Sequence, residues 1–220
     1  MIQAVIFDLD GVIVSTDECH FQAWKAMADQ EGIPFTREDN HRLRGVSRME
    51  SLNIVLEKAA RSYTDEEKLS LAGYKNELYV ALINQLKPED MLPGAEGALK
   101  RLREMGLKTA IGSSSKNAPA ILERLGITGL FDAIADGNGI KHSKPAPDVF
   151  LLAAEKLRIP PENCLVVEDA EAGVDAAVNA GMPCLGLGPA QYHPDALIGA
   201  KDLFGFDLPS WVAEHNAKSV

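Results

Sequence analysis

The apolar run Ala4–Phe7 leads directly into Asp8-Leu9-Asp10-Gly11, and the next segment of comparable strand character starts only near Lys108. A parallel crossover needs about a dozen residues. An interval this long is therefore not a simple strand-helix-strand connection and must hold an insertion. Beyond it, short apolar runs bounded by acids or glycines recur at residues 109–111, 131–135, 165–167 and at Cys184–Leu187, as buried parallel strands do. Amphipathic stretches over residues 95–105, 119–125, 149–157 and 172–180 have the spacing of helices that cover such a sheet. The expected core is α/β, a doubly wound, Rossmann-like parallel sheet built from residues 1–14 and 88–220.

Within the insertion, Ser15-Thr16-Asp17-Glu18, Ser47-Arg48-Met49-Glu50 and Thr64-Asp65-Glu66-Glu67 each match the capping box S/T-x-x-E, and each precedes a helix-period stretch. Residues 15–87 are thus expected to form an α-helical cap domain, ending before Pro88 and the Pro93-Gly94 turn. Gly11 and the links near residues 14–16 and 87–94 are the expected hinges.

Composition narrows the partners. With 32 acidic against 22 basic residues in 220, the formal charge is −10. Nucleic acid and anionic membranes both demand a positive footprint and are excluded as main partners. No apolar stretch approaches the ~20 residues of a membrane span. The first residues carry no leader pattern, and Cys19, Cys164 and Cys184 show neither metal spacing nor an even disulfide count. A cytoplasmic protein is expected, and the missing heptad seam points to a monomer.

In an open parallel sheet, ligands gather at the carboxyl ends of the strands. Here the first strand delivers Asp8 and Asp10, the second runs into Gly112-Ser113-Ser114-Ser115-Lys116-Asn117, and the fourth ends in Glu168-Asp169. No GxGxxG follows the first strand, so a dinucleotide site is excluded. Acids converging in one crevice repel one another unless a cation neutralises them. Asp8, Asp10, Glu168 and Asp169 offer only oxygen, the donor set of Mg²⁺ rather than zinc. A metal-held carboxylate can attack phosphorus and form an acyl phosphate, which makes Asp8 the candidate nucleophile. Asp10 is the candidate general acid/base. Ser113 and the N–H groups of the helix opening near Asn117 suit phosphate oxygens. Lys144, whose backbone Pro145 biases to an extended form, can meet the charge of a transferring phosphoryl group. Each residue alone has a plainer reading as a turn, cap or surface group; their order and strand-end placement favour chemistry.

Taken together, the segments Phe7-Asp8-Leu9-Asp10-Gly11-Val12-Ile13, Ser113, Lys144-Pro145-Ala146-Pro147-Asp148 and Glu168-Asp169 resemble the four motifs of the haloacid dehalogenase superfamily. The stretches His20-Phe21-Gln22-Ala23-Trp24-Lys25-Ala26 and 43–52, with Tyr74-Lys75-Asn76 and Ser115-Lys116-Asn117, look most like its β-phosphoglucomutase branch. That resemblance implies a Mg²⁺-dependent mutase working on an aldose 1-phosphate, most closely β-D-glucose 1-phosphate and glucose 6-phosphate, through β-glucose 1,6-bisphosphate. It implies that His20 assists Asp10, that Arg48 with Ser115, Lys116 and Asn117 grips the non-transferring phosphate, and that Lys75 touches the sugar. Thr16, Trp24, Gly45, Val46, Ser47 and Ser114 fall on the substrate side by the same likeness, although Trp24 reads as cap core rather than a stacking platform. Lys75 lies in the stripe of Leu71, Leu78 and Leu82, where an ammonium must snorkel or find an anion. The chain departs from the branch at Ser15 (commonly Asp), at Arg44 (commonly Lys) and at Ala170, where Ser also occurs. A sugar-phosphate phosphatase of the same fold, a mutase for another aldose or disaccharide phosphate, and a non-catalytic binding module are the alternatives.

Overall fold

A computed structural model describes residues 1–218; the last two residues of the expected core segment, Ser219 and Val220, lie outside the described residues. Strand β1 (Ala4–Phe7) is followed by helices α1 (Asp17–Gln30), α2 (Arg37–His41), α3 (Arg48–Leu56) and α4 (Asp65–Ile83) before the chain returns to α5 (Ala95–Glu104) and β2 (Lys108–Gly112). There follow α6 (Ala118–Arg124), β3 (Ala133–Ala135), α7 (Asp148–Leu157), β4 (Cys164–Glu168), α8 (Glu171–Asn179), β5 (Cys184–Leu187), β6 (Ile198–Ala200) and α9 (Leu208–Ala217). The strands form one sheet in the order β3-β2-β1-β4-β5-β6, parallel throughout. β1 is central: Ala4 is registered with both Lys108 and Cys164.

Alternation along the strands sorts side chains between two apolar layers. Val5, Phe7, Ile111 and Val167 pack with Leu99 and Leu102 of α5 and Ile121 and Leu122 of α6. Ala4, Ile6, Ala110 and Val166 pack on the other face with Val149 and Phe150 of α7 and Val174 of α8. The four inserted helices form a cap with its own apolar cluster, including Trp24, Met27, Phe35, Leu52 and Leu71. Tyr79 and Ile83 at the end of α4 join the core cluster instead, so the cap is rooted in the sheet layer.

One local expectation needs correction. The boxes at Ser47 and Thr64 form with Glu50 and Glu67, but Ser15 does not cap α1; its N-cap is Thr16, whose side chain makes no capping bond. The third reciprocal box belongs to Thr36 and Asp39 at α2. At the links between cap and core, Gly11 N–H donates to the Val14 carbonyl (2.8 Å) and Leu92 N–H to that of Ile13 (2.8 Å), tying the two links together.

Candidate active site

The strand carboxyl ends and the cap enclose a cleft of about 760 Å³. Every candidate residue named from sequence lines it except Thr16, which is 1% exposed and lies behind the wall.

At the floor, Asp8 follows β1 and Glu168-Asp169 closes β4; one carboxylate oxygen from each of these three residues lies within 4.8 Å of the others. Lys144, 2% exposed, donates to Asp8 Oδ1 at 2.5 Å and to Glu168 Oε1. Burial by itself would depress the Lys144 pKa; Asp8 and Glu168 carry it above the usual lysine range, so the group stays protonated. Burial pushes the Glu168 carboxyl upward, and burial followed by repulsion from Glu168 and Asp8 lifts Asp169 to about 8. Two buried acids share one ammonium, with the half-buried Asp169 beside them. An all-oxygen, under-neutralised donor set of this kind fits a hard divalent cation such as Mg²⁺.

Two glycines make the room. A Cβ on Gly173 would stand 1.9 Å from Glu168 Cδ, and one on Gly11 would stand 2.0 Å from Asp169 Oδ2. Gly11 also has φ +81°, a left-handed conformation costing a side-chain-bearing residue about 1–3 kcal/mol. Gly11→Ala is accordingly expected to lower the melting temperature by several degrees and cut turnover at least about tenfold, because Asp169 must move; thermal denaturation and steady-state rates check both parts.

Asp10 directs its side chain elsewhere. Its carboxylate is not in the three-acid group but turns to the start of the cap, accepting Thr16 N–H on Oδ1 and Thr16 Oγ1–H on Oδ2, each at 2.7 Å. Tyr79 O–H in turn donates to Thr16 Oγ1 at 3.0 Å. Burial raises the Asp10 pKa to about 6 against the opposing pull of the Thr16 bonds, with Asp8 adding to the rise. Thr16 therefore bonds the acid/base candidate instead of facing a sugar. Tyr79 was missed in the sequence; its spacing four residues after Lys75 on α4 was the available signal.

His20 is seated on Lys75, not on Asp10: Lys75 Nζ lies 2.9 Å from His20 Nδ1. The Lys75 ammonium also stands over the rings of Trp24 (4.7 Å) and Tyr79 (4.5 Å). Lys75 thus neither snorkels nor meets an acid; burial and then Arg48 lower its pKa to about 7. Burial, Lys75 and Arg48 hold His20 well below its ordinary value, so the imidazole is neutral. Trp24 is 1% exposed, as cap core.

On the core side, Ser113 Oγ accepts Ser115 N–H, and Ser115 Oγ accepts Asn117 N–H, both at 3.2 Å. Ser114 Oγ is buried without a partner. Asn117 Nδ2 donates across the cleft to Asn76 Oδ1 of α4 at 3.0 Å. On the cap side, Gly45 (φ +76°) is placed so that a Cβ there would meet Ala170 and Ala172 at 3.7 Å, Val46 lines the wall, and the Ser47 hydroxyl accepts Glu50 N–H as the cap of α3. Arg48 opens that helix, where the dipole disfavours a cation, and has no carboxylate partner among the described residues.

The sequence comparisons agree with this geometry. The haloacid dehalogenase-like hydrolase model matches residues 2–181. The chain is 49% identical over 191 residues to the β-phosphoglucomutase of Bacillus subtilis, covering 86% of this chain and 84% of that one. It is 34% identical over 185 residues to a phosphorylated carbohydrates phosphatase of Thermotoga maritima, covering 82% of each. A β-phosphoglucomutase structure from Clostridium difficile superposes with a TM-score of 0.92 at 39% identity, over 99% of both chains. With an aspartate pair after a central strand, a lysine bridging the acids and a helical cap over them, the chain belongs to the haloacid dehalogenase-like hydrolases.

Proposed function

We propose that the protein is a phosphomutase interconverting β-D-glucose 1-phosphate and glucose 6-phosphate by way of a bisphosphate. The observation that carries this reading is the second anion-ready group in the cleft: besides Ser113 and Lys144 near Asp8, Arg48 faces the same space from the cap without a carboxylate partner. A mutase must handle two phosphates at once. The β-phosphoglucomutase relatives supply the sugar.

In this reading Asp8 Oδ attacks phosphorus and becomes an aspartyl phosphate, splitting one transfer into two. Lys144 and Ser113 bind the oxygens of the transferring group and balance its charge. Asp10, near pH 7 with its pKa of about 6, takes the proton from the attacking hydroxyl and returns one to the leaving oxygen. The hydroxyl of Thr16, backed by Tyr79, orients it. The Asn76–Asn117 bond draws cap and core together and helps keep water from the phosphoenzyme. Asp8, Glu168 and Asp169 would hold Mg²⁺, which supplies charge neutralisation at the phosphoryl group. The cap is taken as residues 15–87 on a core of 1–14 and 88–220, and the enzyme as a cytoplasmic monomer. No helix among the described residues is long and apolar enough to cross a membrane.

A bisphosphate-primed assay on each anomer of glucose 1-phosphate, following glucose 6-phosphate and inorganic phosphate together, tests the reading. Glucose 6-phosphate from the β anomer is expected; inorganic phosphate as the main product would make the protein a phosphatase, the activity named for the Thermotoga relative. Removing divalent ions with EDTA is expected to stop both reactions. Restoring Mg²⁺ to about 100 times its Kd should add roughly 2.7 kcal/mol of stability, some 5–10 °C in melting temperature for a chain of this size. Asp169→Asn should lose most of that shift.

A further inference from the structure

Half of the lysines and arginines lining the cleft are already engaged: Lys144 by Asp8 and Glu168, Arg44 by Asp17, and Lys75 by His20. Besides Arg48 and Lys116, one other lysine or arginine lines the cleft with neither a carboxylate nor an imidazole partner for its side chain among the described residues, the exposed Lys141. It belongs to the connection between β3 and α7, the same one that carries Lys144.

That connection is braced at both ends. Gly137 N–H donates to the Ser115 carbonyl (3.3 Å), Asn138 Nδ2 donates to the Lys116 carbonyl (3.1 Å), and Gly137 sits so close that a Cβ would meet the Ser114 carbonyl at 2.3 Å. At the far end His142 N–H donates to Asp148 Oδ2 (3.0 Å), and the His142 ring stands 3.2 Å from the same oxygen at the start of α7. Two loops are thus fastened side by side, each with the same layout. One carries Ser113 and, three positions on, Lys116; the other carries Lys144 and, three positions before it, Lys141. Three residues of chain span up to about 10 Å, enough to set an ammonium beyond a sugar ring whose near phosphate lies at Ser113 and Lys144.

We propose that Lys141 is a further phosphate grip on the core side, acting with Lys116 and Arg48 on the outer phosphate of a sugar bisphosphate while Asp8 exchanges the inner one. This rests on the mutase reading. The bisphosphate must turn round without escaping, and in either orientation one phosphate lies away from Asp8. A fixed ammonium beside that outer position serves both orientations.

The test is the KM for β-glucose 1,6-bisphosphate in the primed assay, compared among wild type, K141A, K141R and K100A; Lys100 is exposed on α5 and paired with Glu96. Losing one charge-assisted bond to phosphate is expected to raise the K141A value about tenfold, with kcat within about twofold. K141R should regain most of the affinity and K100A should match wild type. A KM for K141A equal to that of K100A, or K141R as weak as K141A, overturns the proposal. Failure of the wild type to isomerise any aldose 1-phosphate removes the mutase reading and this inference with it, whereas an active wild type with an unchanged K141A removes Lys141 alone.

Discussion

Asp8→Asn is expected to abolish turnover, by at least about 10⁴-fold in kcat, in both isomerisation and phosphate release. The amide keeps the shape of the side chain but cannot attack phosphorus, and no neighbour can take its place: the Glu168 carboxylate is engaged by Lys144 and by Ala170 N–H, and Asp10 is turned onto Thr16. The fold should survive. Lys144 retains Glu168, and removing one of three crowded acids relieves as much repulsion as it forfeits attraction, so the melting temperature should stay within a few degrees. Asp10→Asn is the informative contrast: it leaves the nucleophile intact and should cost only the 10²–10⁴-fold typical of proton transfer. Rapid-quench detection of phosphoenzyme separates the two, since Asp10→Asn can still be phosphorylated and Asp8→Asn cannot. A phosphorylated Asp8→Asn protein would remove Asp8 from the nucleophile's role.

Lys144→Met should be the most damaging substitution for stability. It deletes the ammonium between two buried acids, and an uncompensated buried charge typically costs about 3–5 kcal/mol, which for a chain of this length is on the order of 10 °C in melting temperature. The loss should be largest in EDTA. Adding Glu168→Gln to Lys144→Met should recover part of it by removing one of the stranded negative charges, a non-additivity expected of groups in direct contact. Simple addition of the two single-variant losses would mean that the Lys144–Glu168 contact carries little of the energy.

The strand and helix pattern was legible because burial on both sides leaves continuous apolar runs. β1 and β5 begin and end where their composition says, and Phe131 and Asp132 fall outside β3 only because Asp132 turns back to accept from Lys108 and Thr109. The edge strand β6 and α9 were not foreseen; Ile198–Ala200 is short and carries a glycine, and α9 has little apolar periodicity. The acids at the strand ends could be read because chain order puts them on one sheet edge. What could not be read was rotamer and partner. The residues Ser15 to Glu18 have the letters of a capping box, yet the Thr16 hydroxyl and N–H are spent on Asp10, a bond that depends on how residue 79 packs. The same holds for His20, whose partner Lys75 lies on another helix. Thr36 and Asp39 escaped notice because Asp, not Glu, closes the box.

The central place of β1 has a consequence for how the protein is made. The strand that carries Asp8 is synthesised well before its two neighbours, β2 and β4, which are registered against it from Lys108 and Cys164. The last helix seals it, with Asn216 accepting from Ile2 N–H at 2.7 Å and donating to the Ile2 carbonyl at 2.8 Å. Pairings so distant along the chain form slowly, whereas the cap helices can meet as soon as they are synthesised. The nascent chain is therefore expected to hold the cap helices while the apolar β1 still waits for β2 and β4, the interval in which chaperone binding and aggregation compete for it.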